Sequence, residues 1–393
     1  MKNSFFSTLE PHQKYLLLCC FFIFTVNGLY AMMLGSLLPL ISAEYNLSNT
    51  ISGTLLSMHQ VGTLAAGFLA GILPFYLGRK NALLFLLVFV VVGFIMVVLS
   101  GNVVLLLVGF LFTGISRGSV SNFANALVNE VSGGKTSALN FLHSVFAVGA
   151  LLAPFLVIFA TNIGGDEGWK IAVLIIAGLV SLAILLFSRA NIQNVSKQDR
   201  KQKLSYKFLK IKRVWFNIGI LFFYLCVEAT VNGWIVMYFI DAGIMQRQFA
   251  QVLASLLWVV MLAGRLSIVF LAHKIAKTRI LALASVGTAG FYIMLLASRD
   301  VTLITIAVAG LGFSMAGIYP TVIANLSVTI RDYPQSLGVL LLIGGIGAII
   351  MPAITGALSD WLGIFAGMSS VMAAIVLMLI FVALEVVNGR KAG

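Results

Sequence analysis

Charge is scarce in this sequence. Only 9% of its 393 residues are charged, against about 25% in an ordinary soluble domain. Hydrophobic residues make up 61%. A globule of this length cannot hide that much apolar surface, so a soluble fold is excluded and an integral membrane protein remains. Cysteine is scarcer still. The three present, Cys19, Cys20 and Cys226, all fall in apolar runs. They offer neither a disulfide framework nor metal-ligand spacing, so they read as small buried apolar side chains and no metal site is expected. No nucleotide loop of the Gly-x4-Gly-Lys-Ser/Thr type occurs, and no soluble stretch is long enough to hold one. That argues against an enzyme and an ATP-driven pump, and no cofactor is expected. A cleavable leader is not expected either. The first apolar stretch, 15–41, is longer than a signal-peptide core and lacks a small-residue cleavage site, so it reads as a retained helix.

What the sequence has in excess is positive charge, +13 in net terms. Its distribution argues against nucleic acid as a partner. Nine of the 25 basic residues lie between Arg189 and Arg213, and most others flank apolar segments. Basic loops between apolar helices mark the cytoplasmic side of a membrane protein.

A spanning helix needs about 20 apolar residues. Twelve such segments are expected: 15–41, 51–77, 82–100, 103–130, 137–161 and 168–188, then 214–241, 247–273, 279–298, 302–327, 334–358 and 362–387. Placing Lys2 and Lys14 inside also places Arg79, Lys80, Lys135, the 189–213 segment, Lys274, Lys277, Arg279, Arg331, Arg390 and Lys391 inside. Only Lys170, Arg247 and Arg299 then fall outside. Both termini are therefore expected in the cytoplasm. Residues 1–188 and 214–393 form two six-helix halves. The polar 189–213 segment between them is either a solvated tether or a basic helix on the inner leaflet.

The halves resemble each other at an offset near 197. "AGFLAGILPFYLGRKNALL" (66–84) aligns with "AGRLSIVFLAHKIAKTRIL" (263–281). "GISRGSVSNFANALVN" (114–129) aligns with "GLGFSMAGIYPTVIAN" (310–325), and "GALLAP" (149–154) with "GAIIMP" (347–352). Duplicated halves place a substrate site near the bilayer midplane and imply alternating access.

Twelve helices, a basic central loop and a Gly-Arg-Lys turn after the second segment resemble the major facilitator superfamily over essentially the whole chain. "YLCVEATVNGWIVMY", "ANALVNE…SALNFLHSVFAVGALLAP" and "GLGFSMAGIYPT" are similar to the fucose/glucose/galactose permease branch. The resemblance implies an all-α membrane protein of two pseudo-symmetric bundles. It also implies sugar:proton symport through the cytoplasmic membrane, with a sugar and a proton as partners besides the bilayer; a monomer is expected. The superfamily's loop motif is partly kept in Gly71, Gly78, Arg79 and Lys80. Phe75 and Tyr76 replace its charged pair. The drug-antiporter signature of the fifth segment is absent at 153–156. The helix-1 and helix-4 carboxylates of fucose-type symporters correspond to Gly35 and Ser121, so they do not carry over.

Glu228 is the residue to explain. It lies near the middle of an apolar segment, where a charged carboxylate costs roughly 2.5–3.5 kcal/mol on insertion scales. Tyr224, Glu228 and Asn232 recur every four residues and share a face. They suit a sugar or a proton relay. Arg117 cannot lose its charge and is the expected partner of Glu228, with Ser121 and Asn125 continuing its face. His143 could bind a hydroxyl or titrate near neutral pH, and Asn140 lies one turn earlier. Glu228, Arg117 and His143 are the proton-coupling candidates. Asn27, either His59 or Gln60, and the aromatics Trp234, Trp258 and Tyr319 complete the substrate-binding set. Arg265 reads as a snorkelling residue, Glu130 as part of a gate or helix-end pair, and Glu385 as interfacial. The expected function is import of a small neutral solute, a sugar above all, by proton symport. A drug or metabolite exporter is the first alternative. A passive uniporter or solute sensor with a structural Glu228–Arg117 pair is the second.

Overall fold

The computed structural model describes residues 9–194, 206–271, 275–333 and 335–391. Residues 195–205 of the 189–213 stretch, together with Lys2 and Lys274, lie outside them. Described residues form helices α1 (Pro11–Glu44), α2 (Asn49–Leu99), α3 (Val103–Val131), α4 (Thr136–Gly164) and α5 (Trp169–Arg189). There follow α6 (Lys212–Asp241), α7 (Arg247–Leu271), α8 (Lys277–Ala297), α9 (Val301–Met315) and α10 (Ile318–Asn325). The chain ends with α11 (Ser327–Asp332), α12 (Gln335–Leu362), α13 (Ile364–Ser369) and α14 (Val371–Lys391).

Ten stretches among these residues are long and apolar enough to cross a membrane. Two of them, Asn49–Leu99 and Ser137–Arg189, have 51 and 53 residues. At about 1.5 Å per residue each is more than twice the ~30 Å hydrocarbon core, so each counts as two crossings and the total is twelve. The chain is thus an all-α multi-pass membrane protein. Large apolar side chains such as Phe68, Phe159, Leu174 and Val286 stand on the outside, while many Ser, Thr and Asn side chains are buried. This distribution suits lipid rather than water as the surrounding solvent.

Two segments expected as separate helices, 51–77 and 82–100, are joined in α2 through one non-helical residue. Gly78 has φ 75° and ψ 159°, a conformation that glycine adopts without the Cβ penalty. Conversely, the tenth crossing is broken. Ala316 and Gly317 separate α9 from α10. Pro320 has no N–H to continue the ladder there.

The described residues cluster into two compact units. One takes Met1–Leu40 with Met58–Lys201, the other Ile41–Ser57 with Gln202–Gly393. In the first, a Cβ on Gly114 would fall on the carbonyl oxygen of His59, and one on Gly149 on that of Thr25. In the second, a Cβ on Gly312 would fall against the carbonyl oxygen of Leu257, and one on Gly347 on that of Phe222. Backbones this close need glycine, as in membrane helix pairs generally. The second set repeats the first at an offset of 197–198 residues, so the repeat is a repeat of helix contacts.

The start of α2 belongs to the second unit and is capped there. Asp360, near the end of α12, accepts from the backbone N–H of Asn49 at 2.8 Å and of Thr50 at 2.7 Å. A carboxylate is favoured at a helix N-terminus and disfavoured at the end of its own helix. Asp360→Ala is expected to cost about 1 kcal/mol, read as a lower melting temperature in detergent. Asp360→Asn keeps one acceptor and should recover part of it. An unchanged melting temperature in Asp360→Ala would mean that water serves these N–H groups equally well.

Glu385, expected at the interface, is instead enclosed. Its side chain is 1% exposed and accepts from Arg213 Nε at 2.7 Å. Arg213 stands in the first turn of α6, 172 residues earlier, a partnership invisible from the position of Glu385 in the sequence.

Candidate functional site

In the first unit, polar groups gather from α1, α2 and α3. Thr113 donates its one hydroxyl proton to the carbonyl of Phe110 at 2.7 Å. It therefore accepts from His59 Nδ1 at 2.9 Å, which leaves Nε2 as the acceptor of a neutral ring. Among the described residues that Nε2 and Asn27 Oδ1 are buried without a hydrogen-bond partner, and the buried Tyr30 hydroxyl lies beside Ser116 Oγ. Arg117 lies within electrostatic reach of Tyr30 and His59 and donates to Gln60 Oε1 at 3.3 Å. The adjacent residues His59 and Gln60 divide as their spacing requires: His59 is 3% exposed among the helices, and half-buried Gln60 turns to Arg117.

Other members of the expected set lie apart from this cluster. Asn125 donates to the carbonyl of Ser121 on its own helix at 2.7 Å. Asn140 and His143 on α4 are exposed, with the His143 ring set edge-on to Phe24 at 5.5 Å.

The turn at Gly78 is held by different parts from those of the superfamily motif. Arg79 donates to Glu130 Oε2 at 2.7 Å and to the carbonyl of Gln193 at 3.1 Å. Asn194 accepts from the Arg79 backbone N–H at 2.9 Å. The Arg79–Glu130 pair thus stands without the charges that Phe75 and Tyr76 replace. Gly71 has open space around it, and Lys80 is half-buried.

In the second unit, the stripe on α6 forms as its spacing requires. Tyr224 donates to Glu228 Oε1 at 3.0 Å. Asn232 donates to the backbone carbonyl of Glu228 at 2.9 Å, steadying the helix and leaving the carboxylate to others. Trp234 is fully buried and donates its indole N–H to the carbonyl of Pro352 at 3.2 Å, which makes it a packing residue.

Arg265 on α7, absent from the expected set, lies in this cluster. It and Glu228 both lie within electrostatic reach of Tyr224 and Tyr319. Its guanidinium sits 6.0 Å from the centre of the Trp258 ring. Two turns separate Trp258 from Arg265, so they share a face. An arginine inside an apolar helix was the available signal. Its nearness to one end of α7 hid its direction. Side chains tilt toward the N-terminus of their helix. The short 242–246 connection makes α6 and α7 antiparallel neighbours, so Glu228 and Arg265 lean toward each other.

The two clusters are built alike. Tyr30, His59 and Arg117 come from the first, second and fourth crossings of one half. Glu228, Arg265 and Tyr319 come from the first, second and fourth of the other, and Glu228 follows Tyr30 by 198 residues.

Comparison with known proteins agrees with this architecture. The profile of the Major Facilitator Superfamily matches residues 20–333. The chain is 22% identical over 381 residues to a TsgA homolog of Buchnera aphidicola subsp. Baizongia pistaciae (strain Bp), covering 92% of this chain and 93% of that one. It is 26% identical over 353 residues to the putative niacin/nicotinamide transporter NiaP of Bacillus subtilis (strain 168), covering 84% and 85%. Among solved structures, the nucleoside transporter NupG superposes with a TM-score of 0.72 at 16% identity, covering 96% of this chain and 97% of that one. The chain belongs to the Major Facilitator Superfamily and is a multi-pass membrane transporter of small solutes.

Proposed function

We propose that the chain carries a small polar solute across the cytoplasmic membrane by alternating access, in symport with protons, and that Glu228 is the group that takes the proton. The observation that carries this reading is the Glu228 site itself. A carboxylate far from either end of α6 has a tyrosine donor at 3.0 Å and a cation in electrostatic reach. The two halves, 1–188 and 214–393, are joined by 189–213 on the cytoplasmic side, where both termini also lie.

The resemblance to fucose-type permeases favours a sugar, and the fold neighbour named for nucleosides fits a polyhydroxylated solute. A second reading, a small heteroaromatic acid or amide, is favoured by the sequence relative named for niacin and nicotinamide.

The test uses the purified protein in proteoliposomes with an inward proton gradient. Labelled sugars, a nucleoside, nicotinate and nicotinamide are offered in turn. Solute and protons are expected to enter together, and a protonophore should abolish accumulation. Entry that ignores the gradient would establish a uniporter, and proton exit with solute entry an antiporter. Cysteines at Ser196 and Asn162 in a variant lacking Cys19, Cys20 and Cys226 should label from opposite faces. Labelling of both from one face would overturn the orientation.

A further inference from the structure

We propose that Arg265 anchors a carboxylate on the transported solute, which makes the solute a small monocarboxylate with a flat or apolar body. This rests on Glu228 being the proton carrier.

A guanidinium keeps its charge at any relevant pH and presents five N–H donors. Among the described residues Arg265 makes one hydrogen bond, from Nη2 to Met261 Sδ at 3.7 Å. A thioether is a weak acceptor. The centre of the Trp258 ring lies 6.0 Å from the Arg265 guanidinium. Glu228 lies in electrostatic reach but forms no ion pair with Arg265 among the described residues, and its Oε1 takes the Tyr224 hydroxyl proton. An intramembrane arginine held by one sulfur and one aromatic face has an unmet demand for an anionic acceptor. A carboxylate meets it with two parallel N–H···O bonds. Tyr319, half-buried beside both charges, offers a further donor. The indole of Trp258 gives a flat apolar solute something to lie against.

Charge balance selects the carboxylate over a neutral solute. In the empty carrier, ionised Glu228 and Arg265 sum to zero. Protonation of Glu228 leaves the charge of Arg265 uncompensated at membrane depth, and a neutral sugar would not correct that. A carboxylate would. Empty and loaded carriers are then both neutral at this site, which avoids moving a lone charge through the membrane. Proton and anion enter together with no net charge moved.

The test uses the full chain in detergent and in proteoliposomes, with nicotinate and benzoate as probes, nicotinamide and benzamide as neutral isosteres, and D-xylose as a neutral sugar. The acids are expected to bind at least about tenfold more tightly than their amides or xylose, as the loss of a hydrogen bond to a charged group implies. Arg265→Gln should weaken acid binding by roughly ten- to a hundredfold, and Arg265→Lys by less. A proton gradient should drive acid uptake, and a potassium–valinomycin potential alone should not. Preference for an amide or xylose, failure of both acids to bind, or a folded Arg265→Gln that binds acids as the native chain does would each overturn the proposal. Should Arg265→Gln fail to fold, the acid–amide comparison on the native chain and Arg265→Lys decide it. Accumulation of acid by Glu228→Gln would remove the coupling reading alone, leaving the anchor to be judged by the Arg265 variants.

Discussion

Glu228→Gln is expected to bind and exchange solute as the native protein does, and to lose all accumulation driven by a pH gradient. Glutamine has the shape of a protonated glutamate and can still accept from the Tyr224 hydroxyl, now 3.0 Å from Glu228 Oε1. It fixes the carrier in the state that would bind solute and removes the group whose proton must be released. A structural role gives a different result. If Glu228 serves only to neutralise Arg265, glutamine leaves that guanidinium uncompensated inside the membrane and should lower the melting temperature. Glu228→Gln with Arg265→Gln would then restore the melting temperature. The same pairing with Arg117→Gln tests the partner that the sequence suggested. Three measurements on one variant separate the cases: melting temperature, counterflow exchange and gradient-driven uptake. A stable Glu228→Gln protein that still concentrates solute would end the coupling assignment.

Much of this protein is legible in its sequence because a bilayer leaves few choices. Twelve apolar runs must be helices, and the four-residue spacing of Tyr224, Glu228 and Asn232 puts them on one face whatever surrounds them. The repeat was readable from motifs, and glycines that press on a facing backbone at the same offset give it a physical cause. Other features depend on partners far away in the chain. Arg265 looked like a snorkelling residue because depth along a helix says nothing of the direction in which a long side chain leans. Trp234 looked like a sugar-stacking ring, yet its N–H is taken by a carbonyl 118 residues away. Tyr30 and Ser116 went unnoticed. In an apolar run a tyrosine reads as packing, and only the structure shows its hydroxyl buried beside Ser116 and within electrostatic reach of Arg117. The turn at Gly78 lost its expected charges at Phe75 and Tyr76, and Glu130, Gln193 and Asn194 hold it in their place.

The pair formed by Arg213 and Glu385 makes an asymmetric prediction about stability. Arg213 retains 43% of its side-chain exposure, whereas Glu385 retains 1%. Glu385 Oε2 has no partner among the described residues, so the Arg213 bond at 2.7 Å is the compensation its charge receives. Arg213→Ala strands a buried carboxylate and is expected to cost about 3–5 kcal/mol, read as a large fall in melting temperature. Glu385→Leu strands only a guanidinium that already reaches the surface. It also fills the site with an apolar side chain of similar length, so its cost should stay within about 1 kcal/mol, and replacing a buried ion pair by apolar groups can even stabilise. Arg213→Ala with Glu385→Leu should therefore be more stable than Arg213→Ala alone, although it carries one more substitution. Equal losses from the two single changes, or a double variant no better than Arg213→Ala, would show that the arginine contributes through the packing of its stem and that the buried carboxylate does not depend on its charge.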